Sequence, residues 1–558
     1  MTKMIAKFKK RIVPFLLFLV ISIGFFFRFW RLAKYPTSLS IDEVAVAYNS
    51  YSILKTGRDE WGNFLPLAFR SIGDWKPPVL GYLMIPAIAV FGLNEFGTRF
   101  TEAFFGVLTL PFVYLLIKQI AKNEKVALLT TFSLAVSPWH LQVSRMTHEA
   151  VLALFWVIVG TWLFLISLER EKKWYWLAAI FFSLSLYTYH AERVFTPIFV
   201  FGLVVIFRKE LMRDRRDVVP AVILGILLSL PFVKIMLGPE GQTRATHIFI
   251  DRDFLLNFQL HKKGENLTFL EKVFDNNLLL IFNFWVKRYL NYFDFSFLFF
   301  KGIKLTLPEA PDSGVMYLFE LPLLLMGIWQ IFIKRKFLTK KYYLLVIFWL
   351  LAGPLAASFS NNEQHAARSL TTLPIPQFLV GVGMLFLIEE AVRLGKRKSF
   401  LIFLGSAIII FISFIYYIDL YYLHFPVHYS EFWDYGLKEA AQFAWEHQKD
   451  YKEIVFDPAF GTKGPYIIGT PYLYVLFYGK YEPSLFQKDP RRQERSDSVD
   501  FANFTFRSIY WPKDRFKRDT LFIGSPWALS REELGSAKIL KEISFQNGVV
   551  GFLIVETK

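Results

Sequence analysis

Residues 1 to 30, MTKMIAKFKKRIVPFLLFLVISIGFFFRFW, decide how the chain is read. Five basic residues and no acid precede Ile12, and an apolar run follows that is long enough to cross a bilayer as a helix. Arg28, Trp30 and Arg31 follow this run where a signal peptide would have small residues at a cleavage site, so an uncleaved first span with a cytoplasmic N-terminus fits best. The rest of the chain agrees. Across 558 residues the hydrophobic share is 54%, too apolar for a soluble protein of this length. The net charge of +17 would suit a nucleic-acid binder in a soluble chain, but here the basic residues fall between apolar runs, so no nucleic acid is expected as a partner. The absence of cysteine excludes disulfides, thiolate metal sites and cysteine nucleophiles.

Basic clusters recur at Lys118/Lys122/Lys125, Arg170/Lys172/Lys173, Arg208 to Arg216, Lys334 to Lys341 and Arg393 to Lys398. The positive-inside rule places them all in the cytoplasm. One of the apolar runs 77–93 and 99–117 must then fail to cross. The first contains Pro77, Pro78 and Pro86 and reads as a juxtamembrane or re-entrant helix on the outer face. About 11 transmembrane helices result, near 12–29, 99–117, 126–139, 149–168, 174–189, 194–207, 218–237, 316–333, 342–359, 371–388 and 400–420. Residues 1–420 make a mainly α, polytopic membrane domain with external loops at 30–98 and 238–315, the second holding the aromatic-rich NLLLIFNFWVKRYLNYFDFSFLFF of 277–300. Residues 421–558 gain charge and alternate short β-like runs with helical ones, as expected of a small α/β domain outside the membrane.

Four sets of ionisable residues collect on the outer side, where charge near a bilayer is costly and often functional. In SLSIDEVAVAYNSYSILKTGRDEWG (38–62), Ser40 and Glu43 have capping-box spacing, and Asp42 is left free to act as a general base on an acceptor hydroxyl. In GDWKPPVL (73–80), Lys76 is either a snorkelling surface lysine or the partner of a phosphate at the following helix N-terminus. SPWHLQVSRMTHEAVLALFW (137–156) sets Arg145, His148 and Glu149 together, with Thr147 as an ordinary cap for the next helix. The turns SLYTYHAERVFTP (185–197) and SNNEQHAARSLTTLPIP (360–376) carry His190, Glu192 and Arg193, then Glu363, His365 and Arg368. Ion pairs between loops are the plain reading of these turns. Lys76, Arg145, Arg193 and Arg368 together would otherwise supply cationic contacts to a phosphate leaving group. No His/Glu spacing matches a usual zinc motif, and Walker, nucleophile-elbow and zincin motifs are absent, so no metal site or cofactor is assigned and a metal requirement is left open.

Taken in this order after a first span, Asp42-Glu43, Lys76-Pro77-Pro78 with its apolar helix, FGLNEFGTRFTEAFFGVLTLPFVYLL (91–116), SPWHLQVSR with an acid soon after, and an external Arg before a proline-containing span resemble the GT-C superfamily. The resemblance is to its family 39, the protein O-mannosyltransferase-like enzymes and the aminoarabinose transferases. It covers about the first 200 residues well and the remainder loosely. It implies an inverting glycosyltransferase that moves a sugar from a polyprenyl-phosphate donor to a hydroxyl of a protein, glycolipid or wall polymer on the outer face of a plasma membrane. Asp42 would be the base, Glu43 its support and Lys76 the residue at the donor phosphate, with Arg145, Arg193 and Arg368 as further phosphate candidates. Glu149 falls where relatives often carry aspartate, and its longer side chain displaces the carboxylate by about one methylene. The alternative from another class is a transporter or flippase of a lipid-linked substrate. It would call for ionisable or broken-helix positions at mid-membrane, and the charges read here sit at outer span ends. Oligomeric state, donor sugar and acceptor are not read from the sequence.

Overall fold

A computed structural model describes residues 2–71, 74–238, 277–301, 313–360, 364–495 and 498–558. Most of the loop expected at 238–315, and Glu363, lie outside the described residues. The aromatic-rich stretch begins as a helix, Asn277–Asn291. Each of the eleven expected spans coincides with a helix. Among the described residues, seven helices are long and apolar enough to cross a membrane, including Ile12–Phe29, Glu95–Ala121, Ala150–Glu169 and Ile375–Arg393. The spans expected at 126–139, 174–189, 194–207 and 316–333 meet helical stretches of 13 to 15 residues. At 1.5 Å per residue these fall short of the roughly 30 Å hydrocarbon core. The run 77–93 forms the helix Pro78–Phe91, with Pro77 as its N-cap and proline in its first turn, where no backbone N–H is lost.

The chain divides into two compact units. One contains residues 1–28, 104–144 and 149–417; the other contains 29–103, 145–148 and 418–558. In the first, Glu320–Ile328 and Glu124–Val136 both pack on Ile375–Arg393. Glycine makes these crossings possible, since a Cβ at Gly327 or Gly383 would collide with a backbone carbonyl of the facing helix and one at Gly381 with Thr130. Two buried charged groups of this unit find partners within it. Arg28, fully buried near the end of the first helix, donates to the carbonyls of Gly24 (3.0 Å) and Ala135 (2.9 Å) and stands 2.7 Å from His140 Nδ1. Glu320 is likewise buried and accepts from Ser133 Oγ at 2.6 Å.

In the second unit the first loop and the C-terminal residues fold together, although the sequence pattern grouped that loop with the spans. The helix Ile41–Thr56 packs on Pro78–Phe91 and on the C-terminal helix Pro471–Tyr478. Its small and apolar residues, Val44, Ala45, Val46, Ala47 and Tyr48, are buried on several faces, so it is an interior helix rather than an amphipathic surface one. The α/β part is a five-stranded mixed sheet in the order Lys538–Ser544, Val550–Thr557, Thr520–Gly524, Glu453–Phe456, Phe504–Phe506. The last three strands run parallel and the first two pair antiparallel. Val455, Phe522, Leu553, Val555 and Trp511 form the core on one of its faces.

Candidate functional site

The site begins at the N-terminus of Ile41–Thr56. Ser40 adopts extended backbone at the N-cap and accepts from the Glu43 amide, while the Glu43 carboxylate accepts from the Ser40 amide at 3.0 Å. The capping box is therefore complete. Glu43 does more than cap. Its Oε1 accepts from Arg99 Nε at 2.9 Å and from the Thr147 amide at 3.0 Å, and its Oε2 also accepts from Arg99 Nη2 at 3.1 Å. With four donors on two oxygens, and both Glu43 and Arg99 fully buried, the lone pairs of this carboxylate are all engaged. Arg99 also reaches the carbonyls of Leu32, Pro36 and Ser38, tying the segment after the first span to the helix that begins at Glu95.

Asp42, one residue earlier, has the opposite setting. Its side chain is 63% exposed, and its Oδ1 lies 2.6 Å from Lys76 Nζ. The sequence pattern left Asp42 free; the fold gives it Lys76. That lysine is only 12% exposed and sits at the end of the hairpin formed by Phe69–Ser71 and Asp74–Lys76, immediately before Pro77. The strand pair thus delivers a largely buried ammonium to an exposed carboxylate.

Arg145 is fully buried, and its Nη2 donates to the carbonyls of Trp30 (2.9 Å) and Tyr35 (3.1 Å) beside the Tyr421 and Tyr422 rings. It holds the chain segment that leaves the first helix. Thr147 is not the cap foreseen for the following helix, because its hydroxyl donates to Thr98 O and its amide to Glu43. Glu149 itself occupies the N-cap position of Ala150–Glu169, and its side chain makes no cap hydrogen bond. Glu149, Arg193 and Arg368 belong to the first unit. There Arg193 lies over the Phe232 ring at 5.0 Å, and Arg368 donates to Ser360.

Sequence reasoning passed over several residues of this region. Arg99 stands inside the quoted 91–116 stretch and was given no role, although an arginine near the start of an apolar helix signals a buried partner. Asp434 and Tyr474 come from the C-terminal domain. Tyr474 Oη donates to Leu39 O at 2.7 Å and lies 3.1 Å from Asp434 Oδ2, and the Ile41 amide donates to the Asp434 carboxylate. Burial pushes the Asp434 carboxyl up to about 7, opposed by the hydrogen bonds from Tyr474 and Ile41 and reinforced by the nearby Asp42 carboxylate. A cavity of about 800 Å³ opens in the same unit, lined by Lys34, Tyr35, Ser38, Tyr435, Lys438 and Gln546 among others. Among the described residues, no three His, Asp or Glu side chains are grouped as metal ligands would be.

Comparison with known proteins adds three findings. Residues 75–235 match the family described as dolichyl-phosphate-mannose-protein mannosyltransferase. An uncharacterized protein of Aquifex aeolicus (strain VF5) is 32% identical over 129 residues, which are 23% of this chain and 26% of that protein, so the match spans about a quarter of the curated relative's length. Two crystal structures share the fold. ArnT from Cupriavidus metallidurans, bound to undecaprenyl phosphate, aligns over 97% of both chains with a TM-score of 0.52 at 13% identity. The Archaeoglobus fulgidus oligosaccharyltransferase tethered with an acceptor peptide aligns over 85% of this chain and 64% of its own, with a TM-score of 0.51 at 14% identity.

Proposed function

We propose that the chain, which shares its fold with ArnT over nearly its whole length, is a GT-C-type inverting glycosyltransferase using a polyprenyl-phosphate-linked sugar. The observation that carries this reading is the Asp42–Lys76 pair, an exposed carboxylate in contact with a largely buried ammonium just beyond the first span. The two groups suit the two ends of the reaction. The Asp42 carboxylate takes the proton of the acceptor hydroxyl as its oxygen attacks the anomeric carbon. The bond from that carbon to the phosphate oxygen breaks on the opposite face, and the polyprenyl phosphate leaves with the electron pair. Lys76 exchanges its carboxylate partner for the donor phosphate, which neutralises the leaving group and releases the base in one move.

Glu43 supports this step by fixing the helix start through Arg99 and the Thr147 amide, and Arg145 does so by holding the carbonyls of Trp30 and Tyr35. Neither has the exposure a reacting group needs. The donor reaches Lys76 laterally in the membrane and brings its own phosphate, so no nucleotide loop is required. We place this chemistry on the outer face of a plasma membrane, with a hydroxyl of a protein, glycolipid or wall polymer as acceptor. The test is consumption of radiolabelled polyprenyl-phosphate sugars, mannose and aminoarabinose among them, by membranes containing the protein. Donor-dependent transfer to a hydroxyl-bearing acceptor is expected; efflux of an intact lipid-linked substrate without cleavage would overturn the assignment in favour of a transporter.

A further inference from the structure

Resting on the reading of Asp42 as the base, we infer that the C-terminal domain completes the site, with Asp434 and Tyr474 as positioning residues that clamp the start of the helix carrying Asp42. The clamp closes around three consecutive residues. Tyr474, on the helix Pro471–Tyr478, donates to Leu39 O; Asp434 accepts from the Ile41 amide; and the two side chains meet at 3.1 Å. Between those anchors lies Ser40, the N-cap, and directly after them Asp42. Asp434 is buried and has φ of 51°, a left-handed conformation that aspartate and asparagine tolerate and most other residues do not. It is therefore held at this turn with its carboxyl facing the helix end.

A single hydroxyl proton cannot serve two acceptors at once. When Asp434 is protonated, its O–H donates to the Tyr474 oxygen, and the Tyr474 proton is committed to Leu39 O. When Asp434 is ionised, Tyr474 donates to the carboxylate and the Leu39 carbonyl loses its donor. The remaining charged groups around the clamp are Asp42 with its partner Lys76, and Glu43 with its partner Arg99; the Tyr478 hydroxyl faces Tyr474. Ionisation of Asp434 also places a second negative charge beside the base. With its carboxyl raised to about 7, this change falls within the working pH range of most proteins.

The experiment uses the full chain in nanodiscs with radiolabelled undecaprenyl-phosphate mannose as the probe. Tyr474→Phe is expected to lower kcat about tenfold while leaving KM for the donor within about threefold, because position is lost and donor contact is not. Asp434→Asn mimics the protonated acid, and its kcat is expected to stay flat between about pH 6 and 8.5, where that of the wild type falls several-fold. Identical pH profiles for wild type and Asp434→Asn, or an unaltered kcat in Tyr474→Phe, would overturn the clamp. Hydrogen exchange over residues 38–48 judges it without turnover: about tenfold faster exchange is expected in Tyr474→Phe, and an unchanged rate rejects it. Absence of transfer by the wild type with every donor would instead reject the proposed function, leaving the exchange result to decide the clamp.

Discussion

Asp42 and Glu43 are neighbours on one helix turn, each paired with a basic residue, yet their surroundings assign them different work. The Glu43–Arg99 pair is fully buried and its carboxylate has no acceptor capacity left, whereas the Asp42–Lys76 pair sets an exposed carboxylate against a largely buried ammonium. An ion pair inside protein is costly to break, because removing one partner strands the other charge without water. A pair open on one side can exchange partners with a substrate at little cost. Carboxylate chemistry alone does not distinguish the two; exposure does.

The largest effect should come from the open pair. Asp42→Asn keeps shape and capping ability but cannot take a proton, and transfer should fall by about 10³-fold, or about 4 kcal/mol in activation free energy, with unfolding behaviour unchanged. The closed pair should respond in the reverse sense. Glu43→Ala leaves Arg99 buried and uncompensated and should destabilise the protein by about 3–5 kcal/mol, seen as loss of monodisperse protein in detergent at moderate temperature. If Glu43→Ala proved stable but inactive, the division of labour between these neighbours would be wrong. Lys76→Ala should raise the donor KM about tenfold or more, with Lys76→Arg recovering part of the loss, as donor titrations of the initial rate would report.

A fourth effect is pH dependence in the second unit. Burial raises Asp434 to about 7 and Glu60 to about 8, the latter opposed by Arg492. For a carboxyl whose folded value exceeds its unfolded one, the stabilisation is complete below the unfolded value and is lost as pH climbs through the folded one. Thermal unfolding should therefore shift to lower temperature between about pH 5 and 9, and Asp434→Asn with Glu60→Gln should flatten that slope. The smallest effect belongs to the cap: Ser40→Ala should cost about 1 kcal/mol, measurable by denaturant titration.

The membrane fold was legible because its signals are local. Apolar runs and the basic loops between them located a helix at each expected span, seven of the described helices being long and apolar enough to cross, and a capping-box spacing marked the turn that bears Asp42. What stayed hidden was pairing across long stretches of sequence. Nothing near Glu43 announces that Arg99 and the Thr147 amide will saturate it, and nothing near Arg145 announces that it will be spent on the carbonyls of Trp30 and Tyr35. The same limit concealed Asp434 and Tyr474, which lie nearly 400 residues or more beyond the turn they hold. Reading acidic and basic residues by their position along the chain therefore gave buried and open side chains equal standing.

The open-pair reading is tested most directly by single-turnover transfer from a bound radiolabelled polyprenyl-phosphate sugar, comparing wild type with Asp42→Asn at matched donor occupancy. The expected result is full donor binding by both proteins, with sugar transfer slowed by about 10³-fold in the variant. Equal transfer rates at equal occupancy would contradict it and remove Asp42 from the chemistry.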